Sequence, residues 1–139
     1  MTFKTICAAV FLIVPSLSYA LAPAPVEGVW ATKNNKALVW IYDCGKAACG
    51  SIIKPGNPNL HLPTTDINNP DPALRARSLV GLQIISSLKP DADHWNGMIY
   101  SPEDGRSYKA TFVRLDTGSL KVKGCWGFLC VTQFWKPAS

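Results

Sequence analysis

The stretch 94–125 constrains the fold most, because it contains three consecutive strand-like runs separated by two turn sequences. The first turn ends in Asp104-Gly105 and the second spans 116–118. Turns of this chemistry between runs of Val, Ile, Tyr, Phe and Thr are typical of β-hairpins. The last run, 119–125, alternates apolar residues with lysines, which predicts one dry and one solvated face. We therefore expect an antiparallel meander that the rest of the chain extends or covers.

Further strand-like runs bring the total to about eight; they lie at 28–32, 37–43, 50–54, 81–88 and 129–136. Short, evenly spaced strands without a long helix predict an all-β fold, either a small up-and-down β-barrel or a compact sandwich. We favour the barrel, because eight sequential strands can close and leave no unpaired edge. The run 37–43 is apolar on both faces, which predicts a strand covered on both sides or lying at the barrel closure.

The N-terminal segment has the pattern of a secretory signal peptide. Lys4 precedes an apolar run over 6–14, and the small residues Ser18 and Ala20 occupy the two specificity positions for cleavage after Ala20. A membrane-spanning helix needs about 18 consecutive apolar residues, so we predict no transmembrane anchor. The predicted parts are a signal peptide (1–20), a flexible Pro/Ala leader (21–27) and a single β-barrel domain (28–137).

Removal of residues 1–20 would leave 119 residues and lower the formal net charge from +5 to +4, because Lys4 is lost. This length is typical of one domain with one core. The charges lie along the chain, which indicates a solvated surface more than an anionic partner. Nucleic acid is disfavoured as a partner by export and by the lack of a basic stripe interleaved with aromatic residues.

Four cysteines after residue 20 form two equally spaced pairs, Cys44 with Cys49 and Cys125 with Cys130. Of the three possible connectivities we favour local disulfides, because facing Cα atoms in a hairpin lie about 4.5–5.5 Å apart. Each would stabilise the fold by about 2 kcal/mol. Zinc is the alternative, but C-x4-C is not the usual zinc spacing and exported thiols are oxidised. We predict no metal and no cofactor.

A Pro-rich connection, 54–78, contains five prolines and is unsuited to strand pairing. Long connections of this kind tend to be functional. Within it, Asp71 followed by proline and good helix formers predicts one or two helical turns, with Leu74 facing inward. Arg75 and Arg77 beside this helix are candidates to bind a carboxylate or phosphate. The alternative is that they tie the loop to Asp71 or to strand-end carbonyls.

Aromatic residues on the predicted strands are candidates to line an apolar cavity, because a small barrel can hold one ligand. The predicted ligand-binding residues, with the two arginines for an acidic head group, are Trp30, Trp40, Tyr42, Arg75, Arg77, Tyr100 and Trp135. Trp95 and Phe112 belong to the same aromatic set. The alternative is that these bulky groups fill the barrel and leave no room for a ligand.

The two histidines, His61 and His94, lie in the Pro-rich loop and at a strand start, without an H-E-x-x-H or G-x-S-x-G motif nearby. A surface position explains both. We therefore predict no catalytic residue and no enzymatic activity.

Short motifs spread over nearly the whole chain after residue 20 resemble those of the bacterial domain-of-unknown-function family 2147. They are Gly28-x-Trp30, Ile41-Tyr42-x-Cys44-Gly45, Cys49-Gly50-x-Ile52, Asn69-Pro70-Asp71-Pro72-x-Leu74-Arg75-x-Arg77, Gly81-Leu82-Gln83-Ile84, Ile99-Tyr100-x-Pro102-x-Asp104-Gly105 and Leu120-x-Val122-x-Gly124-Cys125. The resemblance implies a secreted single domain with a lipocalin-like barrel in a Gram-negative bacterium. It implies no activity.

Two functional hypotheses follow for a periplasmic or secreted protein. In the first, the barrel binds a small apolar or amphiphilic envelope molecule in an enclosed chamber of at least about 300 Å³, with the loop 55–80 as a lid. In the second, the barrel is filled, and its loops contact another envelope protein as a structural or interaction module.

Overall fold

The computed structural model of this protein describes residues 9–19 and 21–138. Residues 9–19 are exposed and have no regular secondary structure. The start of the predicted signal peptide, 1–8, and the cleavage position Ala20 lie outside the described residues. Within the described ranges, no helix is long and apolar enough to cross a membrane.

Eight antiparallel strands pair in sequence order and close into one barrel. The closing pair, β1 with β8, places Trp30 opposite Pro137 and Ala31 opposite Lys136. The prediction of a small up-and-down barrel of about eight strands is confirmed. The strands are β1 (Gly28–Ala31), β2 (Ala37–Asp43), β3 (Ala48–Pro55), β4 (Gln83–Asp91), β5 (His94–Ser101), β6 (Arg106–Arg114), β7 (Leu120–Trp126) and β8 (Leu129–Pro137).

The turns of the central meander lie where the sequence predicts them. Gly105, with a φ of +67°, donates its amide hydrogen bond to the carbonyl of Ser101 at 2.8 Å. The β4–β5 turn is short, because β4 continues through Pro90 to Asp91. Pro90 lies opposite Trp95 of β5 but beyond Leu88, the last residue of β4 paired with β3, so β4 has a free side at this proline, where a missing N–H is tolerated.

The barrel interior holds the alternate side chains of each strand. Val39 and Ile41 of β2 are fully buried, as are Phe112 of β6 and Leu120 of β7. An inward-facing glycine leaves no void, because a Cβ at Gly50 would lie 2.7 Å from the side chain of Ile85. The interior between these strands is therefore packed by neighbouring side chains.

The two ends of the barrel differ in what covers them. We call the end with the β2–β3, β4–β5 and β6–β7 connections the closed end, because the residues before β1 lie across it. Val26 is fully buried there. The carbonyl of Ala24 accepts a hydrogen bond from Nε1 of Trp95 at 2.9 Å. The predicted flexible leader is therefore held against the barrel. The opposite end, with the other four connections, we call the open end.

Both predicted cysteine pairs lie at disulfide-bonding distance. The sulfur atoms of Cys44 and Cys49 are 2.04 Å apart, and those of Cys125 and Cys130 are 2.05 Å apart. Cys125 and Cys130 face each other directly across the β7–β8 hairpin. Cys44 instead lies in the β2–β3 loop, one residue beyond the last strand pair. One cross-link therefore lies at each end of the barrel.

The connection between β3 and β4, which we call the long loop (56–82), has little regular structure. Its 3-10 helices are Pro58–Leu60 and Pro72–Leu74, and a third, Lys33–Asn35, joins β1 to β2. The predicted cap is present, since the side chain of Asp71 accepts a hydrogen bond from the amide of Ala73 at 3.0 Å. The prediction that Leu74 faces inward is wrong: this side chain is exposed, because a single short turn on the surface has no buried face.

Candidate functional site

The structure does not gather the predicted ligand-binding aromatics around one cavity. Trp30 and Trp135 do lie inside the barrel, but both are almost fully buried. Nε1 of Trp30 donates to the carbonyl of Val26 at 2.9 Å, and the Trp135 ring packs edge-on against Phe112 with centroids 6.3 Å apart. These two tryptophans are part of the packed core.

Trp40 and Tyr42 lie on the outside of the barrel. Their strand neighbours Val39 and Ile41 point inward, and successive side chains of a strand alternate between faces. Trp40 remains 47% exposed, its ring centroid is 4.5 Å from that of Tyr42, and the Tyr42 hydroxyl lies 3.2 Å from Oγ of Ser51. The expected cover on both faces of β2 is therefore missing from its outer face, and neither aromatic lines the interior.

Tyr100 belongs to a third location, beneath the long loop. It lies three residues after Gly97, which pairs with the buried, inward Ala110 of β6, so by alternation Tyr100 points to the outer face of β5. Its hydroxyl donates to Oδ1 of Asp66 at 2.7 Å. Asp66 has no solvent-accessible surface. Tyr100 therefore anchors the loop and does not line the interior.

The two predicted arginines are also engaged within the long loop. Nε of Arg77 donates to Oδ2 of Asp66 at 2.9 Å, and the Arg77 guanidinium lies 5.7 Å from the centroid of the Tyr100 ring. Nε of Arg75 donates to the carbonyl of Asn69 at 2.7 Å. Of the two interpretations of these arginines, this geometry matches the structural one, although the partners are Asp66 and Asn69 instead of Asp71.

The protonation states of the Asp66 cluster follow from these contacts. Burial favours the neutral carboxyl, but hydrogen bonds from Tyr100, Asn69 and Arg77 outweigh it and hold the pKa of Asp66 below its ordinary 3.8. Burial, together with the hydrogen bond to Asp66, raises the pKa of Tyr100 above 10.0. Across the neutral range the cluster thus contains one charged carboxylate, one guanidinium and one neutral phenol.

Sequence reasoning missed Asp66 and the role of Asn69. Asp66 stands in an irregular polar stretch, where no periodicity marks a buried position. Asn69 and Arg77 do belong to the quoted family-like motif, which was the only available signal. Nδ2 of Asn69 donates to Oδ2 of Asp66 at 2.8 Å, so one asparagine and one arginine share the buried acid.

Two cavities on the described residues are open clefts and not enclosed chambers. One, of about 160 Å³, is a cleft at the closed end between the β2–β3 loop and the β4–β5 turn, next to Leu88 and Trp95. The other, of about 300 Å³, lies on the outer wall next to Met98, Lys109 and Cys125. The expected enclosed chamber of at least about 300 Å³ is not among them.

The inner surface of the open end is different, because apolar side chains there face inward and yet remain in contact with solvent. Leu129 and Val131 of β8 are on the same face as the buried Trp135, but each is 60% exposed. Trp126 lies directly opposite Leu129. The hydrogen bonds of the long loop reach Ile52 of β3 and Tyr100 of β5, and none found among the described residues reaches β7 or β8.

A cation stands at the edge of this apolar surface. Arg106 is inward by alternation with Ala110 and Phe112, and its guanidinium lies 4.6 Å from the centroid of the Trp126 ring. Tyr108, the next inward residue of β6, hydrogen-bonds Asp104 through its hydroxyl. We call Arg106, Trp126, Leu129 and Val131 the mouth surface.

The described residues contain no group of three or more His, Cys, Asp or Glu side chains that could hold a metal ion. Nδ1 of His94 lies 2.9 Å from Oδ1 of Asp93, and this exposed hydrogen bond lowers the pKa of Asp93. His61 contacts the carbonyl of Asn59 at 3.0 Å. Both histidines are therefore engaged by neighbouring residues on the surface.

Comparisons with known proteins agree with this fold. A family model described as "Uncharacterized protein conserved in bacteria (DUF2147)" matches residues 28–137. Among solved structures, the chain is similar to HP1028 from the human pathogen Helicobacter pylori, which is described as belonging to the lipocalin family. The identity is 23% with a TM-score of 0.69, over 83% of this chain and 84% of that chain. No curated protein matches the chain.

Proposed function

The chain belongs to the uncharacterised bacterial family DUF2147, and from that premise we propose that it binds a small amphiphilic molecule at the open end of its barrel. The observation that carries the proposal is the exposure of Leu129 and Val131 on the inner face, which a filled barrel would bury. The lipocalin-like fold supports it, because barrels of this size can hold one small ligand.

In the proposal the apolar part of the ligand lies against Val131 and Leu129, and its acidic head group meets Arg106. This arginine replaces Arg75 and Arg77, whose Nε atoms are engaged within the long loop. A guanidinium binds a carboxylate or phosphate with paired hydrogen bonds. The ligand would thus bind to the mouth surface at the open end and would not be enclosed in a deep chamber.

The proposed place of action is the periplasm or the exterior of a Gram-negative bacterium. Two cysteine pairs at bonding distance are compatible with an oxidising compartment. The exposed apolar run within 9–19 makes no part of the barrel, as a removable signal peptide would not. We propose binding without catalysis.

Titration with dodecanoate, followed by calorimetry, tests the proposal. We expect Arg106→Gln to weaken binding about tenfold, since a charge-assisted hydrogen bond is lost. The matched control is Lys109→Gln, which removes a cation from the outer face of the same strand. Val131→Asn should weaken binding, whereas Thr132→Asn, one residue along and outward, should not. Equal effects within each pair would contradict the proposal.

The second candidate, an interaction module with a filled barrel, is favoured by the packed closed half, where the side chains of Trp30, Phe112 and Trp135 are almost fully buried. Native mass spectrometry of protein purified from the periplasm separates the two. A co-purified amphiphile supports the carrier. Its absence, together with no heat of dodecanoate binding, supports the interaction module.

A further inference from the structure

The net charge of this protein is confined to its last three strands. Residues 1–105 contain eight Lys or Arg and eight Asp or Glu, whereas residues 106–139 contain six and one. The single acid, Asp116, lies in the β6–β7 turn at the closed end. The expectation that charge is spread along the chain is therefore wrong: the whole excess of +5 falls on residues 106–139, which contain β6, β7, β8 and the turns between them.

Four lysines of these strands share the outer face of the barrel. Lys121 and Lys123 alternate with the buried Leu120 and Val122, so they point outward. The same alternation places two more outward, and we call the set the lysine wall: Lys109, Lys121, Lys123 and Lys136. None of the ion pairs found in the described part of the chain includes a lysine of this wall.

The β7–β8 hairpin ends in an exposed aromatic tip beside this wall. The turn is the pair Gly127-Phe128, with a positive φ of +60° at Gly127 only, as a type II′ turn requires. The Phe128 side chain is 94% exposed. Below it, the bonded pair Cys125 and Cys130 holds the two strands together, so the ring is presented on a cross-linked support.

A second exposed phenyl lies on the wall itself. Phe134 points outward next to the buried Trp135 and pairs with Lys121 across the hairpin. No Asp or Glu occurs in any of the three strands. The surface therefore combines unpaired cations with two aromatic side chains and contains no negative charge, an arrangement that a folded core does not require.

We propose that the lysine wall and the Phe128 tip dock this protein side-on to an anionic lipid surface. Each cation next to such a surface raises the binding constant about fivefold, and an apolar side chain such as phenylalanine is buried at the boundary between the head groups and the acyl chains. Phe128 can enter this layer without drawing charged groups with it, because its turn contains only glycine beside it. This inference does not depend on whether the mouth surface binds a ligand.

Co-sedimentation of the full chain with vesicles tests the proposal. One set of vesicles contains equal parts of phosphatidylglycerol and phosphatidylcholine, and the other contains phosphatidylcholine alone. We expect binding to the anionic vesicles, weak binding to the neutral ones, and loss of the difference in about 1 M salt, where screening is nearly complete. All variants keep residues 9–19, so any lipid affinity of that segment is common to them.

Two pairs of variants locate the binding surface. Phe128→Ser should lower the partition coefficient about tenfold, whereas Trp40→Ser, an exposed aromatic across the barrel from β6, should not. The double variant Lys121→Gln/Lys123→Gln should lose about fivefold per lysine, and the control Lys33→Gln/Lys54→Gln should not. Circular dichroism and thermal midpoints confirm that each variant is folded.

Three results would overturn the proposal. The first is equal binding to both vesicle types, and the second is a loss in the control variants as large as in the test variants. The third is a wild-type chain that stays in solution with anionic vesicles, which would leave an acidic protein surface as the class of partner for the lysine wall.

Discussion

The Tyr100 hydroxyl donates a 2.7 Å hydrogen bond to Oδ1 of Asp66, across 34 residues of sequence. The other oxygen of the same carboxylate receives Arg77 and Asn69. One buried acid therefore fixes the long loop to the outer face of β5.

Replacement of Asp66 by asparagine should destabilise the protein by about 2–3 kcal/mol, because it breaks a largely buried ion pair. This loss of stability is small for a broken buried ion pair, because Arg77 is about one-third exposed and its charge can be rehydrated. Urea unfolding of Asp66→Asn measures the difference. The control, Asp116→Asn in an exposed turn, should stay within about 0.5 kcal/mol of wild type. A neutral Asp66→Asn would show that the cluster does not hold the loop.

Acid should remove the contribution of Asp66. Because the pKa of this carboxyl is below its ordinary 3.8 in the folded state, its contribution is complete above the unfolded value and is lost as pH falls through the folded one. Unfolding free energies of wild type and Asp66→Asn should therefore differ by a constant amount from neutral pH down to about 4 and converge below it. A constant difference at still lower pH would contradict this assignment.

Replacement of an inward tryptophan should destabilise the protein more than replacement of an outward one. Trp135→Ala should cost about 3–5 kcal/mol, as expected for a large side chain removed from a packed core. Trp40→Ala, on the outer face of β2, should cost less than about 1 kcal/mol. Thermal and urea unfolding measure both. Similar losses would mean that the outer face of β2 is covered.

The sequence predicted the barrel because strand alternation and turn chemistry are local signals. Two such signals depend on neighbouring residues only: the turn sequence Asp104-Gly105 and the alternation of Leu120 and Val122 with lysines. The placement of Trp40 failed for a related reason: β2 is apolar on both faces, so alternation could not tell its inner from its outer side. In the closed barrel Val39 and Ile41 are the buried residues, so Trp40 between them lies outside.

The Asp66 cluster could not be predicted, because it joins a loop to a strand far away in sequence. Burial of an aspartate depends on partners that come from separate segments, here Tyr100 and Arg77, and no periodicity marks such a position. The mouth surface was missed for a similar reason. Inward alternation is readable at Val131, but its exposure depends on where the long loop packs.

Thiol titration tests the cross-links and the processing of the N-terminus together. The chain has five cysteines, of which Cys7 lies in the predicted signal peptide. Unfolded, unreduced protein should show one free thiol if residues 1–20 are present and none if they are removed. Reduction should reveal four more in either case. Four or more free thiols before reduction would contradict both disulfides.

The most direct test of ligand binding at the mouth is a methyl-resolved NMR titration with dodecanoate. We expect the methyl resonances of Leu129 and Val131 to shift in proportion to occupancy, while those of the outward Val113 and of Ile53 remain in place. Shifts confined to Leu88 at the closed-end cleft, or no shifts at a saturating dodecanoate concentration, would contradict binding at the open end.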